Sequence, residues 1–330
     1  MWGHGPHTPT GGKPPDPLTG VATGKRRKRG EQPVVPDSQF TSYYGKPVIN
    51  GPVWRSPDIP GYLFLGGLAG ASSLLGAGAQ ATGSDVVAKA AKTGAFGAIS
   101  LSLVALVNDL GRPARFLNML RVFKPTSPMN IGSWLLTAYG PLAGASAASA
   151  VTGKLPRIGT AATAGAALLG PAVAAYTGAL VSDTAVPAWH DGYREMPYVF
   201  VGSGATAAGG LGLIAAPDGE ATAARNLALF GTTLELGAFK RMEQRLGMVA
   251  EPYRRGKGGK YVRAAEVLSL AGAAGAVLGR SNRIVRMLSG AALVAASACT
   301  RWGIFHAGKD SADDPKYTVV PQRERLNERS

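Results

Sequence analysis

Stretches of about twenty residues with few or no charges recur along this chain, and each is long enough for a helix to cross ~30 Å of hydrocarbon. They fall at roughly 59–80, 86–107, 131–152, 158–182, 197–217, 221–239, 262–279 and 284–305. The run from Gly159 to Val181 carries no charged residue at all. A soluble Ala-rich helix would place Lys and Glu on the face opposite its apolar stripe. These runs have no such face, so the expected fold is an all-α integral membrane protein of eight transmembrane helices. The mean hydropathy is only +0.06 because polar segments flank the spans on both sides. The spans at 221–239 and 262–279 are the weakest, since Glu235 lies inside one and Glu266 near the start of the other.

The expected organisation is a basic, disordered tail over 1–57, a first four-helix bundle over 58–182, a second over 183–305 and a C-terminal tail over 306–330. The first 58 residues hold no apolar leader region, so the first span is expected to remain as a membrane helix. The net charge of +15 includes the run Lys25–Arg29, set among Pro and Gly. Beside eight spans, that run reads as a solvated topogenic tail facing acidic lipid, not as a nucleic-acid arm. The single cysteine, Cys299, supports no disulfide, zinc site or iron–sulfur cluster within the chain and reads as a small buried residue.

Eight spans place both termini and the second, fourth and sixth loops on one side of the bilayer. About 27 of the 35 Lys and Arg fall on that side. Arg112, Arg115, Arg121 and Lys124 in the second loop and the segment from Lys240 to Arg263 contribute most. The positive-inside rule then makes this side cytoplasmic, in a plasma or inner membrane.

Tyr62-Leu63-Phe64-Leu65-Gly66, followed by Ala69 and Ala71, is echoed by Tyr198-Val199-Phe200-Val201-Gly202, followed by Ala205 and Ala207. Phe96-Gly97 and Phe230-Gly231 give a weaker echo. Four spans separate the copies, so the two halves run in the same direction. Two parallel-related four-helix bundles are expected, packed closely through Gly66, Gly67, Gly70, Ser73, Gly202, Gly209 and Gly210.

Polar chemistry concentrates where spans end. One cluster runs from Asn108 and Asp109 through Arg112, Arg115 and Phe116 to Met119, Arg121, Phe123 and Lys124. Asp109 and Arg112 are spaced to pair across one helical turn. The block reads equally as a capped helix end with interfacial charges, though that leaves Phe116, Met119 and Phe123 between basic residues less well explained. A second cluster contains Tyr176, Ser182, Asp183, Thr184, Trp189, His190, Asp191, Arg194 and Glu195. With Tyr62 at the start of the first span, polar groups from three helices converge at one end of the first bundle. An apolar pocket with a few hydrogen-bonding groups suits an amphiphile with a polar head and an isoprenoid tail. Trp54, Tyr43 and Tyr44 fit an aromatic interface belt instead. Glu235 is the one carboxylate deep in a span; it is a proton-path candidate or a structural bond to a neighbouring helix. Of the four histidines, His4 and His7 lie in the tail and His190 and His306 near span ends, so the chain cannot build a di-haem site.

The run from Asn108 to Gly140, the run from Tyr176 to Gly210 and the opening Ile59–Leu75 resemble the NrfD-type membrane subunits, the polysulfide reductase C-subunit family, over about residues 40–322. The C-terminal stretch from Phe305 to Arg323 resembles actinobacterial-type members. The resemblance implies a haem-free membrane anchor that exchanges electrons with a quinone, menaquinone or ubiquinone, at the end of the first bundle. It implies a ferredoxin-like iron–sulfur partner and a molybdopterin-type catalytic partner, a formate dehydrogenase-type complex being the first candidate. Carried over by position, Tyr62, Asp109, Arg112 and Tyr176 would line the quinone site, with His190 close by. Ile59 and Tyr62 stand where some relatives carry Asn and His. Tyr62 and Tyr176 would donate hydrogen bonds, Asp109 or His190 would pass protons, and Arg112 would keep Asp109 ionised. The competing classes are a secondary transporter, which also shows internal repeats, and a purely structural anchor.

Overall fold

Long uncharged segments rich in Ala, Gly and Leu can satisfy their backbone polar groups in lipid only as helices, and the chain folds accordingly. A computed structural model describes residues 48–110 and 118–327, and no strand occurs among them. The basic run Lys25–Arg29, Tyr43, Tyr44, Arg112, Arg115 and Phe116 lie outside the described residues.

The helices are α1 (Asp58–Ala81), α2 (Asp85–Asp109), α3 (Pro128–Thr152), α4 (Pro156–Ser182), the short α5 (Pro187–His190), α6 (Met196–Ala215) and α7 (Thr222–Leu246). A 3-10 turn (Gly247–Ala250) leads to α8 (Glu251–Arg254), α9 (Gly256–Leu278), α10 (Arg283–Asp313) and α11 (Lys316–Asn327). Six of these, α1, α2, α4, α6, α9 and α10, are long and apolar enough to cross a membrane. Helices α3 and α7 have 25 residues each but fall short on apolarity. In α7 the cause is Arg225, Glu235 and the charged end Lys240–Arg245. In α3 it is dilution by Asn130, Ser133, Thr137, Tyr139 and Ser146. Of the two spans read as weakest, α9 is therefore apolar enough after all, whereas α3, read as sound, is not.

Two boundaries also differ from expectation. The basic segment from Lys240 to Arg263 is not a loop: α7, the 3-10 turn, α8 and the start of α9 carry it as helix. Helix α10 runs on to Asp313 because Gly303, Ala307, Gly308, Ser311 and Ala312 form a buried face. A Cβ at Gly308 would lie 1.9 Å from Cε2 of Trp189, so the indole of α5 occupies the space a side chain would need. Cys299 is half-buried, not fully enclosed.

Local chemistry sets the ends. The Ser127 hydroxyl accepts from Asn130 N at 3.4 Å to start α3, and Asn282 accepts from Ile284 N and Val285 N at 2.9 and 3.2 Å to start α10. Gly153, at φ 70°, ends α3 in the left-handed conformation that glycine adopts without steric cost.

Helix α1 packs against α2 and α4, and α3 packs against α2 and α4. Helix α6 packs against α7 and α10, and α9 packs against α7 and α10. Helices α1 and α6 touch each other, and each also contacts members of the other set. The α1–α4 approach is close enough that a Cβ on Gly70 would lie 2.2 Å from the Gly170 carbonyl oxygen. Short polar bonds cross between helices, including Ser73 Oγ to Tyr139 Oη at 2.6 Å and Ser203 Oγ to Ser297 Oγ at 2.9 Å. Such pairs let small polar residues sit in an apolar environment with their hydrogen-bonding capacity met.

Candidate functional site

The last turn of α2 and the first turn of α1 lie side by side at one end of the molecule. Asn108 Nδ2 donates to both oxygens of Asp58 at 3.1 Å, and Asp109 Oδ1 accepts from Arg55 N at 3.2 Å. Asp109 therefore anchors the segment entering α1. Below it, Tyr62 of α1 and Tyr176 of α4 are buried, and their hydroxyls are hydrogen-bonded to each other. The Tyr176 ring fits because position 132 is glycine: a Cβ there would lie 2.2 Å from Tyr176 Cε2.

These groups surround a cavity of about 140 Å³. Tyr62, Asp109 and Tyr176 line it together with Leu63, Leu106, Leu136, Leu180 and other apolar side chains. Met119 and Met129 also reach it, one from the segment that begins at residue 118 and one from the start of α3. Asn130 fixes that segment: Nδ2 donates to Met119 O and Val122 O at 2.7 and 2.8 Å, and Oδ1 accepts from Lys124 N at 2.6 Å. A cavity of about 150 Å³ holds a benzene ring, so this one fits a single six-membered ring. In a pair of hydrogen-bonded hydroxyls, one donates and the other keeps its own proton for a third partner. The tyrosine pair can thus offer one donor to a ring oxygen.

The structure thus gathers Tyr62, Asp109 and Tyr176 around one space. Arg112 lies outside the described residues. His190 does not line the cavity: it is exposed at the end of α5, with Nδ1 3.2 Å from Ser182 O. The rest of the second cluster disperses. Trp189 is buried, donating from Nε1 to Ile304 O at 2.7 Å, while Asp183 is exposed. Trp54 is half-buried, stacks on Trp189 at 5.3 Å and lines the cavity, so it is a wall and not merely a belt residue. Met129, Gly132 and Ser133 also line the space; the one advance signal was their place in the stretch that follows Asp109.

Glu235 lies elsewhere. It is buried between α6, α7 and α10, where Oε1 accepts from Thr300 Oγ1 at 2.5 Å and Oε2 has no hydrogen-bond partner among the described residues. It also lines a cleft of about 620 Å³ together with Lys240, Glu243, Arg254, Arg263 and Glu266. Glu235 is not the only charge inside the helices. Arg301, fully buried, donates from Nη2 to Phe200 O at 2.8 Å and from Nε to Leu63 O at 3.4 Å. Its guanidinium lies 3.8 Å from the Phe200 ring centroid. Arg286 is likewise buried, bonded to Asp218 at 2.8 Å.

Around residue 195, outside the spanning segments, the Arg245 guanidinium grips Glu195 through Nε and Nη2. Those bonds hold the Glu195 carboxyl below the ordinary carboxylate range, outweighing its burial. Among the described residues no group of three or more His, Cys, Asp or Glu is arranged to hold a metal ion.

The family model described as "Polysulphide reductase, NrfD" matches residues 48–230, more than half of the chain and all four helices around the cavity. No curated protein matches the sequence.

Proposed function

Because the chain belongs to the NrfD family and is a multi-pass membrane subunit of the redox-complex type, we propose that it passes electrons between a quinone or quinol and an iron–sulfur partner subunit. The observation that carries this reading is the convergence of Tyr62, Asp109 and Tyr176 on one ring-sized apolar cavity. A bound quinone supplies a two-electron, two-proton couple. The protein's part is to hold the ring and manage protons. The Tyr62–Tyr176 pair hydrogen-bonds one ring oxygen. Leu63, Leu106 and Leu136 exclude water and align the ring. Asp109, half-exposed at the rim, takes or gives a proton, and Arg112, beyond the described residues, is assigned to the same site by the resemblance alone. His190, exposed beyond the cavity, exchanges protons with solvent and touches no ring atom.

The finer assignments belong to the same proposal. All eight long helices cross the membrane as two parallel-related four-helix bundles; the support is that contacts among α1, α2, α3 and α4 recur among α6, α7, α9 and α10. Both termini face the cytoplasm, as the excess of basic residues on that side implies. The electron partner is ferredoxin-like and the catalytic partner molybdopterin-dependent, and a formate dehydrogenase-type assembly rests on the resemblance alone. Glu235, at the buried end of its cleft, is the proposed proton-path group. That same buried carboxylate is what favours the second reading, a secondary transporter.

The test is a photoreactive quinone analogue applied to the purified chain. Labelling of peptides containing Met119 or Met129, competed by unlabelled quinone, is the expected result. Labelling confined to other helices, or none, would leave the chain a transporter or a structural anchor.

A further inference from the structure

A third concave surface opens between the start of α6 and the later half of α7, enclosing about 670 Å³. It is independent of the ring-sized cavity. Its floor is apolar: Tyr198 and Phe230 are each 59% exposed, and Leu234 lines the groove with them. Tyr198 is the repeat counterpart of the buried Tyr62, yet it points outward. Helix α6 is apolar enough to span, so an exposed aromatic floor on it faces lipid more favourably than water.

The rim carries Arg194, Arg241 and Arg245 against one carboxylate, Glu195. Glu195 is committed to Arg245, with Nη2 to Oε2 at 2.5 Å. Arg241 is 83% exposed, and its Nε stands 4.0 Å from Glu195 Oε1, too far for a hydrogen bond. The one hydrogen bond of Arg194 among the described residues runs from Nε to Tyr193 Oη at 2.9 Å. Two guanidinium groups therefore retain free donors over an apolar groove at the end of a spanning helix.

The geometry points to a binding site for an anionic phospholipid, with the headgroup phosphate held by Arg194 and Arg241 and an acyl chain lying on Tyr198 and Phe230. The charge excess selects an anion, since basic pockets between membrane helices recognise acidic headgroups. The aromatic floor selects a lipid over a free anion, because inorganic phosphate would leave that surface unused. Guanidinium suits the phosphate through paired N–H donors.

The experiment uses the full chain in mild detergent, with lipid adducts read by native mass spectrometry. Phosphatidylglycerol and phosphatidylcholine are offered separately, each with and without inorganic phosphate. The double variant R194Q/R241Q changes two exposed side chains, and a thermal melt checks that it folds. A control variant, R157Q/R283Q, removes the same charge from exposed positions elsewhere. The wild type and the control should prefer phosphatidylglycerol over phosphatidylcholine, and the double variant should lose about tenfold or more of that binding. Equal retention of both lipids by the wild type overturns the site. So does undiminished phosphatidylglycerol binding by R194Q/R241Q, an equal loss in the control, or inorganic phosphate displacing the lipid completely. If the double variant keeps its lipid but no longer captures a partner subunit, the groove is a protein interface and the lipid assignment is wrong.

Discussion

A methyl group on Gly132 would lie 2.2 Å from Cε2 of Tyr176. Helix α3 thus leaves a gap that the tyrosine ring of α4 fills, and this sets the ring where its hydroxyl meets that of Tyr62. Gly132→Ala should push the ring aside, costing about 1–3 kcal/mol of stability from overpacking. Quinone-linked turnover should fall at least about tenfold, with a raised KM, whereas dye-linked activity of the catalytic partner stays unchanged. A variant with wild-type quinone kinetics would mean that the tyrosine pair plays no part in binding the ring.

Asp109→Asn separates two roles. Asparagine keeps an oxygen that can accept the Arg55 N–H bond, so the entry to α1 should hold and assembly should survive. It cannot carry a proton, and loss of a positioned acid or base lowers rates by about 10²–10⁴-fold. The ratio of quinone-linked to dye-linked activity in the same membranes should therefore drop sharply. An unchanged ratio assigns Asp109 to structure alone.

Glu235→Gln preserves an acceptor for Thr300 but removes the ionisable group. If Glu235 conducts protons, reconstituted complex should keep electron transfer and lose proton movement across the vesicle membrane. Proton movement at the wild-type level would make Glu235 a purely structural link between α7 and α10.

The Glu195–Arg245 pair predicts a pH-dependent stability. The folded carboxyl is held below its unfolded value, near 4.3, by Arg245. Its contribution is therefore complete above that value and is lost as pH falls through the lower folded one. Arg245 is 31% exposed, which screens the pair, so the expected contribution is about 1–2 kcal/mol. Glu195→Gln should lower Tm in detergent at neutral pH, and the difference from wild type should shrink below about pH 4. A constant difference across that range would rule out an ionic contribution.

Topology can be tested separately. A C-terminal fluorescent-protein fusion should glow and the matching alkaline phosphatase fusion should be inactive. The reverse pattern would move both termini, and the cavity with them, to the other side.

Much of the molecule could be read from one dimension. Uncharged runs near twenty residues dictate helices, because nothing else satisfies backbone groups in lipid. The break at Asn108–Asp109, the aromatic opening at Tyr62 and the late Tyr176 mark where helices end and polar groups gather. What a linear reading cannot provide is the facing of side chains. Tyr62 and Tyr198 occupy matching places in the repeat, yet one is buried at the cavity and the other lies on the surface. His190 follows Tyr176 closely in sequence but emerges on a separate short helix away from the ring-sized space.

Sequence by itself determined a helical, multi-pass chain of the NrfD family with polar groups at one end of its first helices, because hydropathy and helix length are properties of a segment taken alone. Tertiary structure decided which groups meet. Arg301 stands near the end of the last apolar run, and nothing in the linear order of residues says what it meets. In the fold it is fully buried, and its guanidinium joins the carbonyls of Leu63 and Phe200 on helices α1 and α6. The physical reason is that small residues such as Gly67 and Gly204 bring those helices together, and only that approach creates carbonyl partners able to hold a charge away from water.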